Sequence, residues 1–395
     1  MIAFTHTPTT HTPQMKPVFT IKNLLIIFLV INSQTIKVMA GNANVSLKFG
    51  NGLTISDPDS TMSLNFGVML QSRIDVNKVF DKTSKPTTQL QARRVRLKFK
   101  GYFLNQKLDY YVQLSLSPGD VKAANILLDG YARYRPVHQF AIQFGQGKLP
   151  GDREEITSAE RQFFVERSTT NALFKLDRDF GFQLYGYFGK KCVFKPRISI
   201  ASGEGKNYTA TDIQHLDYTV RFDLLPMGEF KDNGDFTFQD FVREEKPKLA
   251  IGVAYDFNNK PALQKGQLGG NAVGDSVRKN VHSVYADAIL KYKGFTTTGG
   301  YVFRKAQDNK LYLAGQSAYA TASYLFKKHV EIGFRFNRSF SGKTGNIPTI
   351  NEYDFGFAYY VFKNAFKLQT DYILAQNKTT NKLSGLWRFQ MQFAF

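Results

Sequence analysis

The chain has 395 residues, a formal net charge of +20 and a high content of phenylalanine and tyrosine. A cationic excess of this size points to a nucleic acid, an anionic membrane surface or small anions as partners. Because Cys192 is the only cysteine in the sequence, an intrachain disulfide is excluded.

The N-terminal segment has the plan of a secretory signal peptide. Counting from Met15, an alternative start, two lysines precede an apolar run over 24–31, and small or apolar residues lead to Ala40. This order predicts cleavage after Ala40. A helical anchor is the alternative, but eight apolar residues cannot cross about 30 Å of hydrocarbon. We therefore expect a signal peptide over 1–40 and a barrel domain over 41–395, with +17 net charge because three lysines and no acid are removed.

Apolar and polar residues then alternate with a period of two along most of the chain, which predicts β-strands. No stretch beyond the signal approaches the roughly 18 consecutive apolar residues of a membrane helix. The pattern predicts sixteen strands, at 62–75, 91–103, 108–117, 125–135, 138–148, 179–190, 192–202, 216–225, 247–257, 282–293, 294–304, 316–327, 329–338, 351–362, 365–373 and 385–395.

Very short connections between these strands alternate with longer ones that are rich in Gly, Asn, Lys and Thr. Short periplasmic turns and long extracellular loops are typical of an outer-membrane barrel with an even number of strands. The connection over 226–246 is long where a turn is expected, and we expect it to fold as a small flap. The predicted fold class is all-β: a 16-stranded antiparallel transmembrane β-barrel with an inward-folded constriction loop.

A soluble sheet would show the same alternation, because it also has one dry face and one wet face. Three features favour a membrane: long strands, aromatic residues near strand ends, and the closing stretch LWRFQMQFAF, which ends at Phe395. Aromatic girdles mark the two interfaces of transmembrane barrels. The closing stretch resembles the assembly signal of outer-membrane barrels, so we expect Phe395 to be recognised by the barrel-assembly machinery of a Gram-negative bacterium.

One predicted strand carries a row of cations, Arg94, Arg96, Lys98 and Lys100, which alternate with apolar residues. Because successive side chains of a strand point to opposite faces, these cations line the barrel interior if the apolar residues meet lipid. A tight turn near residue 105 places Ser115, Gln113 and Tyr111, and no acid, opposite Arg96, Lys98 and Lys100. Such a wall concentrates anions and repels cations, so small anions are the expected solutes.

Two alternatives stay open on these residues. Inward positions on other strands mix acids and bases, which suits a general, weakly selective diffusion porin. The loop over 149–178 is long enough to fold inward and narrow the lumen, although an ordinary extracellular loop has the same composition. If it folds inward, we expect its charged residues to meet the basic wall: Arg153, Glu154, Glu155, Arg161, Arg167 and Arg178.

The mature chain resembles the phosphate-selective porin O and P family over nearly all of its length. The order and spacing of several stretches carry the resemblance: ARRVRLKFKG (92–101), LDGYARY (128–134), GQGKLPGDREE (145–155), FVERS (164–168), DRDFGFQLYG (177–186), GQSAYATASYLF (315–326) and VEIGFRF (330–336). The resemblance implies a trimeric sixteen-stranded porin, with loop 149–178 at its constriction and an arginine ladder that guides phosphate. The ladder carries over to Arg73, Arg93, Arg94 and Arg96, and no lysine of this sequence is assigned to the constriction.

An outer-membrane enzyme is the alternative from another class. The four histidines beyond the signal (His138, His215, His282 and His329) are scattered, and they form no Ser–His–acid pattern and no metal-ligand spacing. A nucleic-acid-binding protein would explain the charge but not the lipid-type faces. We therefore expect no catalytic residue, metal or cofactor, and a homotrimer in outer-membrane lipid.

Overall fold

The computed structural model describes residues 36–40, 43–104, 106–118, 125–207, 215–327, 329–342 and 345–395. Most of the predicted signal peptide lies outside the described residues. Its last five residues, Ile36–Ala40, form strand β1, which pairs with strand β2 (Ala43–Lys48). No helix within the described ranges is long and apolar enough to cross a membrane.

Sixteen antiparallel strands, from β4 (Ser63–Val79) to β19 (Lys382–Ala394), close into a barrel. Each strand pairs with the next, and β19 returns to pair with β4 from Ser384 opposite Val79 to Ala394 opposite Met69. The strands are β1 Ile36–Ala40, β2 Ala43–Lys48, β3 Gly52–Ser56, β4 Ser63–Val79, β5 Thr87–Phe103, β6 Leu108–Ser115, β7 Leu127–Val137, β8 Phe140–Lys148, β9 Arg178–Gly186, β10 Val193–Ala201, β11 Asp217–Leu225, β12 Lys248–Asn258, β13 Val281–Tyr292, β14 Phe295–Ala306, β15 Gly315–Phe326, β16 Val330–Phe340, β17 Ile350–Phe362, β18 Phe366–Asn377 and β19 Lys382–Ala394.

The predicted fold class is confirmed, since each of the sixteen predicted segments overlaps one strand of the barrel. The register expected across the turn near residue 105 is also confirmed, with Lys98 opposite Gln113 and Lys100 opposite Tyr111. Strands β1 to β3 were not predicted. They are only five or six residues long and form a small meander that continues the sheet from the first residues of β4.

The two faces of the barrel wall differ in chemistry. On β16, Ile332 and Phe334 are exposed on the outer face, whereas Glu331 and Arg335 on the inner face are buried. The outer face therefore carries the apolar side chains that hydrocarbon requires, and the inner face carries polar side chains that need partners within the lumen.

Those partners come mainly from residues 149–177, which fold into the barrel. Helix α1 (Arg153–Ile156) is capped by Asp152, and helix α2 (Thr169–Phe174) is capped by Ser168; each capping side chain accepts a backbone N–H. This segment, called the constriction loop below, also contains a 3-10 turn at Ala159–Arg161. Other 3-10 turns lie at Lys231–Phe236, Gly266–Leu268 and Asp275–Val277.

The long connection between β11 and β12, residues 226–247, also enters the lumen, from the periplasmic end. The N–H of Phe238 donates to the carbonyl of Arg161, and Lys291 on the barrel wall donates to the carbonyl of Gln239. The small flap expected here is thus an inner segment that supports the constriction loop from below. Its aromatic residues complete an apolar cluster inside the barrel, made of Phe163, Phe164, Phe238, Phe241, Leu325, Ala358 and Tyr360.

Two paired glycines on the barrel wall make room for this cluster. Gly333 on β16 lies opposite Gly356 on β17, and both face the lumen. A Cβ atom on Gly333 would lie 2.5 Å from the Phe163 ring, and one on Gly356 would lie 2.8 Å from the Phe164 ring. The close approach of the loop to this part of the wall therefore requires glycine at both positions.

We expect the Gly356→Val variant to lift the constriction loop off the wall and widen the lumen, because overpacking a filled site costs about 1–3 kcal/mol. The measurement is single-channel conductance in a planar bilayer, which should increase. Ala320→Val, which adds the same kind of bulk to the outer face, is the control and should leave conductance unchanged. Equal conductance of both variants and the wild type would contradict this role for the glycine pair.

Candidate ion path through the lumen

The basic wall predicted from the sequence lies on the inner face of β5, and a β-bulge extends it. Gln71 pairs with Arg94 whereas its neighbour Ser72 pairs with Ala92, so Arg93 is the extra residue of the bulge. A bulge redirects side chains from strict alternation. As a result, two consecutive arginines, Arg93 and Arg94, both reach the lumen and contact the same carboxylate.

That carboxylate is Glu166 of the constriction loop. Arg93 Nε and Arg94 Nη2 each lie 2.7 Å from its oxygens, and Arg73 from β4 donates to it as well. The three guanidinium groups hold the pKa of Glu166 well below its ordinary value, against the opposing effect of burial. Arg73, Arg93 and Arg94, which the resemblance assigned to an arginine ladder, therefore anchor the loop through one shared carboxylate.

A second loop carboxylate, Glu160, pairs with Lys98 further along β5. Although burial opposes ionisation, Lys98 and the nearby Arg161 and Arg96 lower the pKa of Glu160 to about 2. Because the folded-state pKa is depressed, this ion pair stabilises the fold above the ordinary value near 4.5 and is lost only as the pH falls through about 2. The attachment of the loop to the basic wall thus persists throughout mildly acidic conditions.

The loop residues predicted to meet the basic wall lie elsewhere. Arg153 reaches the opposite wall, where Nη2 lies 2.6 Å from Asp223 and Nε lies 2.9 Å from Asp287. Glu154 accepts from Ser168 and lies 3.6 Å from Arg335, and burial raises its pKa to about 7. The prediction that these two residues contact the basic wall was therefore wrong. The conformation of the loop determines their partners, and alternation along a strand carries no information about that conformation.

The remaining predicted loop residues hold the loop together or border the path. Glu155 lies near Lys148, Arg167 and Lys175, and these cations lower its pKa to about 2 despite its burial. Arg167 also donates to the carbonyls of Glu154 and Thr157. The last residues of the predicted set differ: Arg161 is exposed, and Arg178 begins strand β9 and pairs with Asp129 in two hydrogen bonds of 3.0 and 3.1 Å.

Between the constriction loop and the wall formed by β5 to β10 lies a cavity of about 370 Å³. Five cationic side chains and a single carboxylate, that of Asp129, line it. Ile156 and Ser158 form its loop side, and three tyrosines and two glutamines complete its wall. The lining cations are Arg96, Arg133, Lys148, Arg178 and Arg197, and we call this space the basic cavity.

The partners of these cations show how much positive charge the basic cavity retains. Arg178 is neutralised by Asp129, and Arg133 pairs with Asp109 at 3.0 Å. Lys148 donates to the loop carbonyls of Glu155, Ile156 and Thr157, and its ammonium group lies 3.9 Å from the Glu155 carboxylate. Carboxylate partners thus account for only part of the positive charge around this space.

Arg197 is the most available of the five cations. Its guanidinium lies over the rings of Tyr185 and Phe236, with centroids at 5.7 and 5.1 Å, and no carboxylate of the described residues forms an ion pair with it. A guanidinium held on aromatic rings keeps its N–H edge directed to solvent or solute. Lys100, at the periplasmic end of the basic wall, is likewise exposed and has no ion-pair partner within the described part of the chain.

Sequence reasoning missed the basic cavity as a site. Arg133, Lys148 and Arg197 lie on β7, β8 and β10, and alternation alone places Arg133 and Arg197 on the inner face. Only the closed sheet and the course of the loop bring them together with Arg96. Within the described residues, no group of three or more His, Cys, Asp or Glu side chains could hold a metal ion.

We expect the Glu166→Gln variant to raise the preference for anions, because it removes the negative charge that the three guanidinium groups share. One added unit charge at about 4 Å in water is worth about 1 kcal/mol, or about fivefold in relative permeability. Reversal potentials across a salt gradient measure this ratio. A Glu245→Gln variant, at an exposed periplasmic site, is the control, and an unchanged ratio in Glu166→Gln would show that ions pass elsewhere.

Comparisons with known proteins agree with this architecture. An uncharacterised protein of Aquifex aeolicus is 24% identical over 384 residues, covering 84% of this chain and 87% of its own. Among solved structures, an anion-selective porin from Comamonas acidovorans superposes with a TM-score of 0.57 at 11% identity, covering 85% of this chain and all of that one. OprB of Pseudomonas putida superposes with a TM-score of 0.54 at 10% identity, covering 84% and 94%.

The model of the family described as phosphate-selective porin O and P matches residues 66–283. This match covers more than half of the chain, and it includes the basic wall, the constriction loop and every residue that lines the basic cavity. The chain belongs to the phosphate-selective porin O and P family and is an outer-membrane porin.

Proposed function

We propose that this porin passes small anions, with phosphate and related oxyanions as the preferred class. The observation that carries the proposal is the basic cavity, which is lined by five cations and one carboxylate beside the constriction loop and in which Arg197 forms no ion pair with any described residue. Charges a few ångströms apart act together, since salt screens over about 8 Å. An anion is therefore stabilised there, whereas a cation meets a barrier.

The chemistry of the lining suits an oxyanion. A planar guanidinium such as that of Arg197 pairs two oxygens at once, while Lys148 and Lys100 act as point charges. From the basic cavity the exposed Lys100 and Arg161 continue toward the periplasmic mouth. A series of weak sites along the path lets an anion move down its concentration gradient, because no single site holds it tightly.

A weakly selective diffusion porin is the second candidate, and the many acids on the inner wall favour it. Several of these acids lie on the far side of the constriction loop and form ion pairs: Asp223 and Asp287 with Arg221 and Arg153, and Asp371 with Arg388. Others there, such as Asp217 and Glu331, accept hydrogen bonds from hydroxyl groups. The lining of the basic cavity, by contrast, has more cations than carboxylates.

The assembly and the maturation of the chain belong to the same proposal. One solved structure of OmpT of Vibrio cholerae, with a TM-score of 0.52 to this chain, is of a trimer form, which supports a homotrimer in outer-membrane lipid. Phe395 pairs its backbone with Val68 at the seam of the barrel, so recognition by the assembly machinery would precede closure. Removal of 1–40 as a signal peptide completes this proposal.

The test is the reversal potential of the purified porin in a planar bilayer under a potassium chloride gradient. The wild type should prefer chloride. The Arg197→Glu/Lys100→Glu double variant should lose that preference or reverse it without destabilising the barrel, because neither side chain holds a carboxylate in the fold. Inhibition of the chloride current by added phosphate would identify the oxyanion class.

Lys279→Glu/Lys310→Glu is the matched control, because it makes the same total charge change on two exposed loops far along the chain from the basic cavity. It should leave the reversal potential as in the wild type. A cation preference of the wild-type porin, or equal shifts in the control and the double variant, would contradict the proposal.

A further inference from the structure

Three cations gather on the outer rim of the barrel at its periplasmic end, where two hairpins lie side by side. Lys293 is in the turn between β13 and β14, Lys327 is in the turn between β15 and β16, and Arg243 comes from the inner segment 226–247. Arg243 donates to the carbonyls of Lys293 and Leu325 and to the hydroxyl of Tyr324, so its guanidinium lies between the two hairpins.

Aromatic side chains place this cluster at the membrane interface. The ammonium group of Lys293 lies 5.1 Å from the centroid of the Tyr292 ring, and the guanidinium of Arg243 lies 5.7 Å from that of Tyr324. Both rings are on the outer face and exposed, as is Phe326, which packs edge-on against Tyr324. Tyrosine and cationic side chains at the ends of transmembrane strands occupy the level of the lipid head groups.

The three cations share one backbone conformation. Arg243, Lys293 and Lys327 are all left-handed, with φ of 52°, 47° and 43°. The turn Lys293–Gly294 joins its strands with two residues of positive φ, for which Asn-Gly is the favoured sequence. Asparagine can therefore replace lysine in these turns without straining the backbone, which separates the charge of the side chain from the geometry of the turn.

Nearby carboxylates do not neutralise the cluster. Asp240 accepts the backbone N–H groups of Glu244 and Gly294, and Glu245 lies 3.4 Å from Lys231. Neither forms an ion pair with Arg243, Lys293 or Lys327 among the described residues. The rim therefore presents concentrated positive charge beside exposed aromatic rings.

A row of aromatic rings, Tyr292, Phe295 and Tyr324, follows the cluster toward the middle of the membrane. Beyond it the lipid-facing side chains of β13 to β15 become small. Ala288 pairs with Gly299, which pairs with Ala320, and Thr297 pairs with Ala322 one step nearer the rim. These small residues leave a shallow trough in the outer wall, with the aromatic row between the trough and the cation cluster.

We infer that this rim site binds an anionic phospholipid of the inner leaflet. Its phosphate is held by Arg243, Lys293 and Lys327, and an acyl chain lies in the trough made by Ala288, Gly299 and Ala320. A lipid is favoured over a second protein chain because each feature of the site matches one part of a phospholipid. The cations match its phosphate, the tyrosines lie at the level of its head group, and the trough matches its hydrocarbon chain.

The test counts lipids retained on the purified porin by native mass spectrometry after exchange into equal amounts of phosphatidylglycerol and phosphatidylcholine. The wild type should retain phosphatidylglycerol selectively. The Lys293→Asn/Lys327→Asn variant keeps the turns, since asparagine tolerates positive φ, and leaves the three hydrogen bonds of Arg243 in place. Retention of phosphatidylglycerol by this variant should fall about 30-fold, because each lysine near the membrane surface contributes about 1 kcal/mol.

Lys260→Asn is the matched control, because Lys260 is an exposed lysine with φ of 50° in an extracellular connection; it should retain lipid as the wild type does. Ala288→Phe/Ala320→Phe fills the trough without touching a cation and should also reduce retention. Equal retention by the wild type and the double lysine variant would overturn the inference. So would a loss of trimers, in place of a loss of lipid, in that variant.

Discussion

The structure depends on one constraint: a backbone in hydrocarbon must have every N–H and C=O paired within the protein. The pairing of β19 with β4 meets it by closing the sheet, and Phe395 extends the seam through two backbone hydrogen bonds to Val68. Closure divides the side chains into two sets. The outer set meets lipid, and the inner set, which is polar and charged, must find partners or water inside the barrel.

The constriction loop and the inner segment 226–247 supply those partners, but they pair the charges on one side of the barrel more completely than on the other. Against β11 to β18 they pack an apolar cluster and bring carboxylates and guanidinium groups into pairs, as in Arg335 with Asp354 at 2.6 Å. Against β5 to β10 they leave the basic cavity. Because buried charges are tolerated only when paired, the paired half is suited to holding the loop, and the half with surplus positive charge is suited to passing anions.

Alternation along the chain predicted the sixteen strands, the register near residue 105 and the inward direction of Arg94, Arg96, Lys98 and Lys100, because period two is a local property. It could not predict what depends on tertiary contacts. The bulge at Arg93, the choice of Glu160 and Glu166 rather than Glu154 and Glu155 as partners, and the inward course of 226–247 each follow from loop conformation. The short strands β2 and β3 gave too few alternating residues to be recognised.

The central claim is that ions pass through the basic cavity, between the constriction loop and the wall formed by β5 to β10. Ser158 lines this space from the loop side, and Cys192 is the only native cysteine, so a Cys192→Ser/Ser158→Cys porin carries one reporter thiol. The direct measurement is its rate of modification by an anionic and a cationic methanethiosulfonate reagent, with current recorded throughout. The account predicts that the anionic reagent reacts faster and that modification reduces the current. Faster reaction of the cationic reagent, or modification without any effect on current, would contradict it.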